Sequence, residues 1–108
     1  PVACQVALAN LDIMAREGLV ERVRDDTGPY LAECFAGLLD HPLVGEARTC
    51  GMTAGLVLMK DKASKTLFPA ELAVGMVCRA HCFGNGLVMR AVGDRMIIAP
   101  PLVMTPIS

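Results

Sequence analysis

Residues 44–59, VGEARTCGMTAGLVLM, and residues 87–99, LVMRAVGDRMIIA, decide the fold. Each stretch divides at a glycine turn. Residues 44–49 and 54–59 read as two strands around Gly51, and residues 87–92 and 95–99 as two more joined at Gly93-Asp94, a hairpin signal. The run GLVLM at 55–59 is almost continuously apolar, so both of its faces are expected to be covered. Pro100-Pro101 ends the last strand, because proline cannot donate to the ladder.

Helical periodicity surrounds these hairpins. Residues 1–18 read as a helix with Val2, Val6, Leu11, Ile13 and Met14 mostly on one face and Gly18 as a stop or kink. Residues 19–24 continue as helix until Asp25-Asp26-Thr27-Gly28-Pro29 interrupts it. Asp26 or Thr27 is the expected cap of a new helix with Pro29 in its first turn. There Leu31, Cys34, Phe35, Leu38 and Leu39 follow the spacing of a core-facing stripe, and Asp40-His41-Pro42 closes it. Residues 60–65 read as a charged, solvated loop. Residues 72–83 read as a further helix whose buried side carries Ala73, Val77, Ala80 and Phe83 or Met76, stopped by Gly84-Asn85-Gly86. Thr105-Pro106 reads as the start of a last helix that the sequence does not contain. The expected class is α+β: two to three helices on a small, mainly antiparallel sheet of three to four strands.

Size and composition narrow the function. The 108 residues suit one domain and one core. A net charge of -1, a pI of about 6.1 and an aromatic content of 4% offer no footprint for nucleic acid or an anionic membrane. No run reaches the roughly 18–20 apolar residues of a membrane span, and the first residues lack a signal peptide's basic region. The apolar content of 54% excludes glycine, whereas roughly 45–50% with glycine is usual. The surplus is expected to cover a surface that meets another domain or subunit. The helix with no cap before it and the unfulfilled helix start at Thr105 both suggest a truncated chain. Five cysteines at irregular spacing, four of them in apolar runs, read as reduced, buried thiols of a cytoplasmic protein.

Few residues form a chemical constellation. Cys78, His81 and Cys82 share one helical face, but a structural zinc site needs a fourth ligand and no second Cys/His pair is spaced to give it. Two core-facing thiols and a polar histidine are the expected reading. A Cys–His nucleophile there would lack an oxyanion hole and an orienting third group. Gly84-Asn85-Gly86 precedes a strand, so it is a turn and not a phosphate loop. Arg90 stands alone in the apolar run LVMRAV. It faces outward, pairs with nearby Asp94, or aims into a site, where its planar fork would suit a carboxylate.

Several blocks resemble the class III, pyridoxal-phosphate-dependent aminotransferases. PVACQVALANLDIMAREGLVERV is similar to the helix after that family's Thr-Tyr-Ser-Gly-His-Pro segment, with Pro1 as the proline. HPLVGEART through NGLVMRAVGDRMIIAPPLVMT is similar to its small-domain sheet and the lead into its last helix. GPYL, DKASKTLFP and VCRAHCFGNG fit the amine (or ω-amino acid):pyruvate branch. The resemblance covers essentially the whole sequence.

It implies that residues 1–108 are the C-terminal small domain of a fold type I enzyme, without its large domain and last helix. The parent would be a cytoplasmic homodimer that moves an amino group from an amine or ω-amino acid to a keto acid such as pyruvate, with pyridoxal phosphate as electron sink. The family's Schiff-base lysine and its phosphate-binding threonine precede Pro1, so Lys60, Lys62 and Lys65 do not take the lysine's role. No catalytic, cofactor-binding or metal residue is then expected here, and the fragment should be inactive alone. Arg90, in NGLVMRAVGD, matches the arginine that clamps the substrate carboxylate. A stand-alone dimerising or small-ligand-binding module is the alternative, and a small metal protein using Cys78, His81 and Cys82 a third.

Overall fold

The computed structural model describes residues 1–106. The chain begins with α1 (Val2–Arg16), turns at Gly18 in the left-handed region (φ 61°), and enters the short α2 (Leu19–Arg22). One wide π-helical turn, Val23–Thr27, carries it into α3 (Gly28–Gly37) and a closing 3-10 turn, Leu38–Asp40. The expected cap is absent: Thr27 has helical backbone angles and its buried Oγ1 has no hydrogen-bond partner. The helical path runs through the Asp-Asp-Thr-Gly segment by widening, so no cap is needed there.

The four strands are β1 (Val44–Cys50), β2 (Thr53–Leu58), β3 (Arg90–Val92) and β4 (Arg95–Ile98). They form one antiparallel sheet in the order β1-β2-β4-β3. The α+β expectation holds. Both hairpins turn where the sequence places them, with Gly51 and Gly93 at positive φ. β3 is shorter than expected and begins at Arg90, after a loop that follows Gly86. Alternation puts Ala54, Leu56, Leu58 and Met96 on one face. Against them pack Phe35 from α3 and Met89 from the approach to β3, with Val74, Cys78 and Cys82 from α4 (Val74–Gly84) partly buried on the same cluster.

α4 corrects the sequence reading. Ala73 takes a left-handed backbone (φ 46°), which separates a 3-10 turn, Ala70–Leu72, from the helix proper. That break rotates the helix: Val74, Cys78 and Cys82 turn inward, while Ala73, Met76, Val77, Ala80 and Phe83 are exposed. An L-residue with a Cβ is disfavoured in this region by about 1–2 kcal/mol. Replacing Ala73 with glycine removes the clash but loosens the unfolded chain. Ala73→Gly is expected to stabilise the domain by up to about 1 kcal/mol, read as a higher urea midpoint at unchanged slope.

Close packing fixes α4 against the sheet at Gly75, which is buried. A Cβ there would overlap the Gly93 carbonyl oxygen of the β3–β4 turn. At the other end the Arg22 guanidinium donates to the Leu102 carbonyl at 3.0 Å, tying the segment after β4 to α2.

Two further expectations fail. Cys4, Cys34 and Cys50 are exposed, and Cys78 and Cys82 are only half-buried; all five are free thiols. On α3, Phe35 is buried and Leu31 packs on the core, but Cys34, Leu38 and Leu39 are exposed. Apolar spacing marks the face that seeks cover, not the cover itself. The accessible surface is 7498 Å², against about 5,800 Å² for a compact monomer of this mass. The radius of gyration is 16.7 Å, against about 13 Å for a compact chain of this length. α1 contributes to the excess: it buries no residue and leaves Val2, Val6, Leu8 and Leu11 at least 60% exposed. Among the described residues no helix is long and apolar enough to cross a membrane. The helix start read at Thr105-Pro106 would run into residues 107–108, which lie outside the described residues.

Candidate functional site

Arg90 opens β3, an edge strand, opposite Ile97 of β4. Its neighbours Met89 and Ala91 pack on the core, so alternation turns Arg90 to the sheet face away from the helices. The residue is exposed, and no ion pair or side-chain hydrogen bond joins it to another described residue, Asp94 included. Arg90 therefore faces outward on the open side of the sheet.

The same open face carries Arg48 opposite Gly55, and Glu46 opposite Val57, which in turn faces Arg95. Glu46 and Arg48 approach to 3.7 Å along β1, with Arg48 well solvated and Glu46 half-buried. Two hollows lie on this face. One, of about 640 Å³, is bordered by Glu46, Val57, Phe68, Asp94 and Arg95. A shallower one of about 310 Å³ sits over Gly55 between Arg48 and Arg95. Arg90 borders neither.

The lysines do not make a cofactor cradle. The Lys62 ammonium caps the 3-10 turn after α3 by donating to the Leu39 and His41 carbonyl oxygens. Lys60 and Lys65 are exposed in the loop, and Lys65 has a left-handed backbone. None is enclosed in an apolar pocket of the kind that frees a lysine amine for Schiff-base chemistry. The residues present therefore do not fit pyridoxal phosphate by themselves.

The helix face holds a different feature. Between α3, α4 and the sheet runs an apolar groove of about 490 Å³, lined by Phe35, Leu56, Leu58, Met89 and Met96 among others. His41 is its one ionisable member besides the thiols of Cys78 and Cys82. Burial pushes the Cys78 thiol pKa up, and the Cys82 thiol one turn on adds to the shift. His81 is exposed. Among the described residues no three His, Cys, Asp or Glu side chains gather around a point where a metal ion could sit. Gly84-Asn85-Gly86 acts as a turn: the Leu87 amide donates to the Cys82 carbonyl at 2.8 Å, with Gly86 at φ 84°. Sequence spacing missed this groove, because its lining comes from α3, β1, β2, α4 and β4 and from the segments between them.

No family model matches the chain. Individual relatives do, throughout its length. It is 55% identical over 106 residues to putrescine–pyruvate aminotransferase of Pseudomonas aeruginosa, covering 98% of this chain and 23% of that protein. It is 35% identical to a probable mitochondrial gamma-aminobutyrate transaminase of rice, covering 98% of this chain and 21% of that one. Among solved structures, a PMP-bound aminotransferase from Vibrio fluvialis superposes with a TM-score of 0.93 at 36% identity, over 99% of this chain and 24% of that one. A thermostable (S)-enantioselective ω-transaminase from Thermomicrobium roseum gives 0.92 at 38%, again over 99% and 24%. The chain thus spans about a quarter of the length of the relatives it matches.

Proposed function

We propose, for a chain whose whole length resembles the class III, pyridoxal-phosphate-dependent aminotransferases, that it is the small domain of a larger transaminase. The parent moves an amino group from an amine or ω-amino acid to a keto acid such as pyruvate. The observation that carries this reading is the 55% identity to a putrescine–pyruvate aminotransferase along nearly all of the chain. In the parent, a large domain supplies the lysine and phosphate site that the lysines here do not provide. Pyridoxal phosphate, when bound there, withdraws electrons from the substrate carbon and carries the amino group between half-reactions. The parent is a cytoplasmic homodimer on this reading, and residues 1–108 contribute Arg90 as the carboxylate clamp.

Three features support the division of labour. Arg90 faces outward and has no partner among the described residues, as a group awaiting an anion should. Its strand is short and at the sheet edge, where a second domain has access. The uncovered apolar surface, α1 above all, suits burial against the rest of the parent.

The chain by itself is then inactive and holds no cofactor. Mixed with pyridoxal phosphate, reduced with borohydride and desalted, it is expected to retain no stoichiometric visible absorbance and to transaminate nothing. One adduct per chain at a single defined lysine would contradict the reading, since a specific Schiff-base site would then exist within residues 1–108.

A further inference from the structure

We propose that Cys78, Cys82 and Met89 form a three-sulfur site for a soft monovalent metal ion, Cu(I). The inference is independent of the transaminase reading and rests on side chains that the substrate clamp does not use. All three residues line the apolar groove on the helix face. Cys78 and Cys82 lie one turn apart on the inner side of α4, both half-buried on the core. Neighbours at that spacing have Cβ atoms about 5–6 Å apart, close enough for their sulfurs to share one ion. Met89 comes from the other side of the Gly86 turn, and the Cys82 Sγ donates to its Sδ at 3.8 Å.

That separation suits a shared metal. Bonds of about 2.3 Å from a metal to sulfur place the ligands of a trigonal or tetrahedral centre about 3.8–4.0 Å apart. Met89 already rests against the Cys82 thiol at such a distance, so little ordering of that pair remains to be done on binding.

The donor set selects the ion. Two thiolates and a neutral thioether are soft ligands, suited to Cu(I) and poorly matched to a centre that prefers nitrogen or oxygen. His81, which would favour zinc, is exposed and does not gather with Cys78 and Cys82 into a metal-holding cluster. Binding breaks two S–H bonds, releases two protons and forms three metal–sulfur bonds, the third from a lone pair of the neutral Met89 thioether, leaving the metal in its +1 state and the site with a net charge of -1. No redox partner is required. The Cys78 and Cys82 thiols must lose their protons, so affinity should rise with pH.

The test is an anaerobic titration of the reduced full chain with Cu(I) held by a chromogenic chelator. One equivalent is expected to transfer to the chain. The triple variant Cys4→Ser, Cys34→Ser, Cys50→Ser, which removes the exposed thiols, is expected to bind as tightly. Cys82→Ser and Met89→Leu are each expected to weaken binding by at least about tenfold, since even outer-shell changes cost that much. Met89→Leu conserves volume and is tolerated in cores, so a loss there reports on the thioether and not on unfolding. An affinity unchanged by Met89→Leu, or one abolished by the triple variant, overturns the site.

Discussion

In the full-length parent, Arg90→Ala is expected to lower kcat/KM for pyruvate by about one to two orders of magnitude, the scale of one hydrogen-bonded charge pair. A donor amine that lacks a carboxylate should lose little. The reasoning begins with the sequence, where one charge interrupts an apolar strand. The fold turns that charge away from the core, onto the open face, with no acidic partner. A guanidinium presents two parallel donors to a carboxylate, and an ammonium presents only a point charge. Arg90→Lys should therefore recover little of the loss. Because the residue is exposed here, neither substitution should disturb folding, and thermal unfolding of the variants should match the parent.

Gly75→Ala is expected to be the most damaging single-methyl change in the domain. The added carbon would overlap the Gly93 carbonyl oxygen, which is backbone and cannot swing aside. α4 must then lift from the β3–β4 turn. Overpacking of this kind costs about 1–3 kcal/mol, and a rigid backbone neighbour puts it at the upper end. Gly37→Ala is the control: nothing lies within 4 Å of the added carbon. There alanine's better helix propensity should leave stability equal or raised by up to about 1 kcal/mol. Urea midpoints of the two variants check the contrast. Equal midpoints would mean that α4 does not press on the turn that starts beyond Arg90.

The sheet was legible because its signals are local. Alternation, a Gly-Asp turn and a proline stop together define the β3–β4 hairpin, and Gly51 divides β1 from β2 in the same way. What failed was burial. The face of α4 depends on where the helix begins, and that depends on Ala73 adopting a left-handed backbone, which no residue preference announces. The α2–α3 junction failed for a related reason. Asp26 and Thr27 look like caps, yet the chain solves the junction with a π-helical turn, and Thr27 is buried without a partner. Cysteine burial was overestimated because an apolar run says which residues could be covered, and Cys4, Cys34 and Cys50 are not.

The candidate sites divide along the same line. Arg90 stands out in one dimension, as an isolated charge in an apolar strand, and the carboxylate partner proposed for it comes from the family resemblance. The Cys78–Cys82 pair is visible as helical spacing, but its natural third member in sequence is His81, one residue before Cys82. The third sulfur, Met89, sits beyond a turn and looks like an ordinary core residue. Only the fold brings it to 3.8 Å.

The most direct test of the account is single-turnover kinetics of the two half-reactions in the parent carrying Arg90→Ala, followed by the cofactor's visible absorbance. The aldehyde form of the enzyme is mixed with a simple amine, and the aminated form with pyruvate. The account predicts that the amine half-reaction runs at near the parent's rate while the pyruvate half-reaction slows by about tenfold to a hundredfold, the scale of one charge-assisted contact. An equal slowing of both half-reactions would contradict it, because Arg90 would then support the fold and recognise no carboxylate.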